Sequence, residues 1–136
     1  MTVKAPRVCL VDDDRIFQFT LEKMLHHIRP DVSVVGFSDG EGAFTFLKEH
    51  QEEAQLLPDV LLLDLNMPYM DGWQFLDAFQ EFSSHMAKKI SIYLVSSSID
   101  PRDVNRARQY DVVRQYVPKP ITTDQLRTLL TSTQPV

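Results

Sequence analysis

Five short apolar runs alternate with five amphipathic stretches along this chain. The runs cover residues 8–11, 32–37, 60–63, 90–95 and 116–117. Each is too short for a helix and lies between turn signals, so each reads as a buried strand. Between them the apolar residues follow a helical period. Phe17, Leu21, Met24, Leu25 and Ile28 share one face of a first helix. Ser38 with Glu41 reads as a capping box for a second helix carrying Ala43, Phe44 and Leu47. Asp71-Gly72 opens a third, with Phe75, Leu76, Phe79 and Phe82. Asp100 followed by Pro101 is an N-cap with proline at the first helical position. Thr122 with Gln125 caps a fifth helix, carrying Leu126, Leu129 and Leu130. The fourth helix has the weakest stripe, little beyond Val104 and Ala107, and is expected to be the most mobile. Strict alternation implies an α/β fold: a parallel sheet of five strands, helices on both faces, joined by right-handed crossovers. In a doubly wound sheet, ligands bind at the carboxyl ends of the strands.

Composition adds exclusions. At 136 residues the chain reads as one domain, 1–136, with enough apolar residues for a core without staples. A net charge of −5 argues against direct nucleic-acid binding. Cys9 is the only cysteine, so no intrachain disulfide can form. No signal peptide and no membrane-spanning run are visible, so a cytoplasmic location is expected, with no membrane partner.

The strand ends carry the chemistry. The first ends in Asp12-Asp13-Asp14, the third in Asp64, the fourth in Ser96-Ser97-Ser98, and Lys119-Pro120 follows the fifth. An N-cap accounts for one of the first three aspartates, and Asp14 takes that reading. Two more carboxylates facing Asp64 raise one another's pKa, and a divalent cation with hard oxygen ligands resolves the repulsion. Mg²⁺ suits a site with few protein ligands.

Together, Val11-Asp12-Asp13, the stretch from Asp59 through Asp64, Asn66, Met67 and Pro68 to Asp71-Gly72, the hydroxyl of Ser96 and the segment Tyr116 to Pro120 resemble bacterial response-regulator receiver domains. The resemblance spans nearly the whole chain. It implies a flavodoxin-like (βα)5 fold with strand order 2-1-3-4-5. It implies Asp64 as phosphoacceptor, Mg²⁺ held by Asp13, Asp64 and the Asn66 backbone carbonyl, and Asp12 acting mainly through a metal-bound water. Lys119 is expected to pair with phosphoryl oxygens, Ser96 to donate a hydrogen bond to them, and Tyr116 to change rotamer with the switch. The Lys119-Pro120 peptide is expected to be cis. Asn66 and Ser98 are small and lie where the family tunes water attack, which implies a phosphoryl lifetime of minutes or less.

The implied donor is a sensor histidine kinase or a histidine phosphotransfer protein. The downstream protein target is unidentified, and partners are expected to read the face built by the fourth helix, fifth strand and fifth helix. Homodimerisation on phosphorylation is compatible with the apolar residues near the last strand. No output domain follows, which suits a stand-alone regulator, a phosphorelay intermediate or a fragment. The chain is expected not to be a conventional enzyme, though it takes part in its own phosphorylation and dephosphorylation. A Mg²⁺-dependent phosphohydrolase shares the nucleophile, but Asn66 stands where its second carboxylate is needed. A non-phosphorylated module on the same fold leaves the complete site unexplained.

Val112-Val113 stands where the family often has Gly-Ala, and two β-branched residues should stiffen or reshape that turn. Pro118 removes a backbone donor at the end of the last strand. His26, His27, His50 and His85 read as surface or capping residues without carboxylate partners, Trp73 as half-buried packing, and Cys9 as an inert core thiol. Lys88-Lys89 and the acidic Glu49, Glu52 and Glu53 read as solvated.

Overall fold

A computed structural model of the chain describes residues 5–133. The expectations at the extreme ends, the absent leader and the absent output domain, lie outside those residues. The elements run β1 (Arg7–Val11), α1 (Arg15–Ile28), β2 (Ser33–Phe37), α2 (Gly40–Glu49), β3 (Val60–Leu63), α3 (Gly72–Phe82), β4 (Ser91–Ser96), α4 (Pro101–Ala107), β5 (Val113–Pro118) and α5 (Thr123–Thr133), with one 3-10 turn (Ser83–His85) after α3. The sheet is parallel throughout, in the order β2-β1-β3-β4-β5. No helix among the described residues is long and apolar enough to cross a membrane.

Side chains alternate across a strand, so β1 and β3 feed two cores. Cys9, Val11, Leu61 and Leu63 pack with Leu47, Phe75, Leu76 and Phe79 of α2 and α3. Val8, Leu10, Val60 and Leu62 pack with Leu21 and Leu25 of α1 and Leu126 and Leu129 of α5. Burying each such side chain contributes about 1.5–3 kcal/mol, which makes the central strands the rigid base of the site.

The helix starts follow the sequence closely. Asp14 caps α1, its Oδ1 accepting from the Ile16 and Phe17 N–H groups at 3.0 and 3.1 Å. Asp71 and Gln74 form a reciprocal box at α3, and Thr122 and Gln125 form another at α5. Asp100 caps α4, with Pro101 opening it. Helix α2 differs: Asp39, not Ser38, accepts from the Gly42 N–H at 2.7 Å. The helix starts one residue later than the Ser38/Glu41 spacing implied, and the longer carboxylate takes the capping position.

Strand β5 is longer than its apolar run because it lies at the sheet edge. Arg114, Gln115 and Pro118 are exposed there, so an apolar reading sees only its inward residues. Its register against β4 slips: Ile92 pairs with Val113, but Tyr93 pairs with Gln115. The irregularity leaves Arg114 over, directly after the Val112-Val113 pair.

Two surface expectations are corrected. Lys88 is not solvated; its ammonium bonds the Leu57 carbonyl at 2.9 Å and Asp59 Oδ1 at 3.0 Å. His50 and Glu53 meet at 3.0 Å, and His26 lies 3.9 Å from Glu22. Glu22 and His26 are one helical turn apart on α1, while His50, the C-cap of α2, meets Glu53 across the turn that follows.

Candidate functional site

The carboxyl ends of β1, β3, β4 and β5 bring Asp12, Asp64, Ser96 and Lys119 together. Backbone bonds carry the strand registers past the last paired residues: the Asp12 N–H donates to the Phe37 carbonyl at 3.0 Å, and the Asp64 N–H to that of Val11 at 2.9 Å. The Lys119 N–H donates to the Ser96 carbonyl at 2.8 Å, and the Lys119-Pro120 peptide is cis. Asp12 and Asp64 are nearly buried, 3% and 5% exposed, while Asp13 is exposed.

Helix α3 approaches the end of β3 so closely that Gly72 is required. A Cβ there would sit 2.7 Å from the Asp64 carbonyl oxygen and 2.8 Å from Leu65 Cα. The Gly72 N–H donates to the Leu65 carbonyl at 2.9 Å, fixing the loop that carries Asp64. Within that loop Tyr69 takes a positive φ of 67° while the Met70 N–H donates to the Pro68 carbonyl at 2.8 Å, a tight γ-turn.

Charge at the site is unbalanced. The Lys119 ammonium lies 3.0 Å from Asp12 Oδ2 and 3.8 Å from Asp64 Oδ1. Among the described residues, one cation thus faces two buried carboxylates and Asp13. Burial, then the Asp12 charge, pushes the Asp64 carboxyl up to about 6, against Lys119 and the Asn66 N–H, which favour the anion. Burial also raises Asp12, opposed by the Asp14 N–H and by Lys119. Asp12, Asp13 and Asp64 each offer a carboxylate oxygen, and these lie within 4.8 Å of one another. Three hard oxygens with a deficit of positive charge fit a divalent cation.

A hydrogen-bonded path leaves the site. The Ser98 N–H donates to Ser96 Oγ at 3.1 Å. Ser98 Oγ donates to Asp103 of α4 at 2.6 Å, and the Tyr116 hydroxyl donates to the Ser98 carbonyl at 2.7 Å. Ser96 is fully buried, and Tyr116 is half-buried beside α4. Asn66 is exposed at the mouth.

The sequence matches the model of the response regulator receiver domain over residues 8–131. The chain belongs to the response regulator receiver domain family. Its fold agrees: a two-component response regulator from Cytophaga hutchinsonii superposes with a TM-score of 0.84 at 32% identity, covering 96% of this chain and 98% of that one. The receiver domain of a NarL response regulator from Mycobacterium tuberculosis gives 0.75 at 28% identity, covering 95% of each. Among curated relatives, the nitrate/nitrite response regulator NarL of Escherichia coli K12 is 36% identical over 71% of this chain and 42% of its own length. A protein-glutamate methylesterase/protein-glutamine glutaminase of Geobacter sulfurreducens is 32% identical over 84% of this chain and 28% of its own. This receiver domain therefore spans less than half the length of either relative.

Two residues of the site escaped the sequence reading. Gln18 Nε2 donates to the carbonyls of Asp12 and Phe37 at 2.6 and 2.8 Å, pinning α1 to β1 and β2. Phe17, read only as part of a helical face, lies under the Lys119 ammonium, 4.2 Å from ring centre to nitrogen. An aromatic or amide on a helix carries no local signal for such contacts. Cys9 is buried in the core, where burial pushes its thiol up and keeps it unreactive.

Proposed function

We propose that this receiver domain accepts a phosphoryl group on Asp64 from a phosphohistidine of a sensor kinase or phosphotransfer protein, and that the modification changes protein binding at the α4-β5-α5 face. The observation that carries the reading is the nearly buried Asp64 carboxylate, 3.8 Å from Lys119 and grouped with Asp12 and Asp13. An oxygen of Asp64 attacks phosphorus, the bond from phosphorus to the donor nitrogen breaks, and the departing nitrogen takes up a proton.

Mg²⁺ would be held by Asp13, Asp64 and the Asn66 carbonyl, with Asp12 beside it, and would neutralise charge on the transferring oxygens. Lys119 adds a fixed positive charge on the same side. Ile16, Tyr69 and Ile99, 79%, 89% and 80% exposed, follow β1, β3 and β4, three of the strands that end at the site, and offer a donor protein an apolar rim.

The attached group adds about two negative charges at Asp64. It draws the Ser96 hydroxyl, which now accepts from Ser98. Ser98 in turn holds both the Tyr116 hydroxyl and Asp103, so a change there reaches β5 and α4 together.

Incubation with Mg²⁺ and a phosphoramidate donor, followed by intact-mass measurement, tests this. One added phosphoryl group, absent from Asp64→Asn, is expected. No gain with small donors or any kinase contradicts the reading.

A further inference from the structure

We infer that Phe17 is a positioning residue for phosphoryl transfer, its ring holding the Lys119 ammonium against the acceptor carboxylates; this rests on Asp64 being the phosphoacceptor.

The ammonium lies 4.2 Å from the centre of the Phe17 ring, 3.0 Å from Asp12 Oδ2 and 3.8 Å from Asp64 Oδ1. A cation over an aromatic face is attracted by the negative face of the ring, and more strongly where water is excluded. Here the Lys119 side chain is 19% exposed and both carboxylates are 6% exposed or less. The ring replaces water on one side of the ammonium and leaves its N–H groups for oxygen acceptors.

Both partners are held from behind. The Lys119 N–H is fixed to the Ser96 carbonyl at 2.8 Å. The Phe17 N–H is capped by Asp14 at 3.1 Å, and the neighbouring Gln18 ties the first turn of α1 to the ends of β1 and β2. Phe17 is also partly buried against the core that α1 and α5 share. The ammonium is therefore pre-oriented and partly desolvated before any phosphoryl group arrives. That lowers the reorganisation needed when charge builds on the transferring oxygens.

Packing alone predicts that leucine substitutes well for Phe17. The inferred role predicts that it does not, and that tyrosine does. Two readouts separate the cases. In the metal-free protein, ring current should move the Lys119 ε-methylene proton resonances upfield, an effect kept in Phe17→Tyr and lost in Phe17→Leu. With Mg²⁺ and phosphoramidate, an oxygen of Asp64 bonds to phosphorus, the P–N bond breaks, and the departing ammonia takes a proton from water. Phe17→Leu should slow this on the order of tenfold, and Phe17→Tyr should restore it to within about twofold. In a Lys119→Ala background the Phe17→Leu effect should vanish.

If Phe17→Leu folds poorly by circular dichroism, Phe17→Met is the second ring-free variant and is judged by the same readouts. An absent upfield shift overturns the inference. So does a wild-type rate in the ring-free variant, or an equal loss with and without Lys119. If the wild type shows the shift but takes no phosphoryl group, the Asp64 reading itself falls and the positioning role falls with it.

Discussion

At the scale of single residues, Asp64 is stored in the fold at a cost. Its carboxyl is pushed up to about 6, above its unfolded value near 4. The fold therefore disfavours the anion. Above pH 6 without metal, the ionised Asp64 destabilises the protein; as pH falls from 6 through 4, that penalty disappears. We expect Asp64→Asn, in chelator at pH 8, to be more stable by on the order of 2 kcal/mol in urea unfolding, with the gain shrinking toward pH 4.5. Equal stability of the two proteins at pH 8 contradicts the electrostatic account. The lifetime of the proposed phosphoryl group would be set nearby. Asn66 is exposed and Ser98 is small and half-buried, so water has room to approach. Phosphoryl lifetimes of minutes or less are expected, and a label retained overnight contradicts this. Asp12, Asp64, Ser96 and Lys119 were legible in the sequence because each follows a short apolar run, a purely local signal. The Gln18 and Phe17 contacts were not, because their partners Phe37 and Lys119 are distant in the chain.

At the scale of elements, α4 is the least anchored helix. Its only buried residue is Ala107. What holds it is polar and aromatic. The Arg106 guanidinium lies over the Trp73 ring at 4.4 Å, Trp73 stacks on Tyr110 at 5.8 Å, and the Tyr110 hydroxyl donates to Asp77 at 2.8 Å. These contacts tie α4 and the turn after it to α3. Burial and the Asp77 carboxylate both hold the Tyr110 phenol above its ordinary value, consistent with a hydroxyl that stays protonated and donating. We expect Tyr110→Phe to speed amide hydrogen exchange in residues 101–107 several-fold, while global stability falls by only about 1 kcal/mol. Unchanged exchange there means the stack does not restrain the helix. The sequence marked α4 as weak through its thin apolar stripe. It could not show the clamp: Trp73 was read as half-buried packing, but its partners Arg106 and Tyr110 are distant in the chain and carry no local signal of the contact. Strand β5 was read short for a related reason: an edge strand exposes half its residues, and Arg114, Gln115 and Pro118 hide it from an apolar search.

At the scale of the whole molecule, the doubly wound sheet keeps the acidic cluster and the α4-β5 edge apart yet joined. The acidic edge sits on central strands packed on both faces, while α4 and β5 lie to one side. The alternation of periods made this architecture readable from sequence, since strict strand–helix repetition leaves few right-handed solutions. The bulge at Arg114 and the Asp39 cap were not, because each is a one-residue matter of register. Lys119 spans both regions, bonded through its ammonium to Asp12 and through its backbone to Ser96. Lys119→Ala is therefore expected to accept a phosphoryl group still, but to lose the change in partner binding, measured by affinity with and without the modification. A normal change in that variant removes Lys119 from the switch. The central claim is that the modified atom is a carboxylate oxygen of Asp64. Borohydride reduction of the phosphorylated protein, followed by peptide mass mapping, tests it most directly. The account predicts homoserine in place of Asp64 and intact Asp12 and Asp13; reduction at another aspartate, or none, contradicts it.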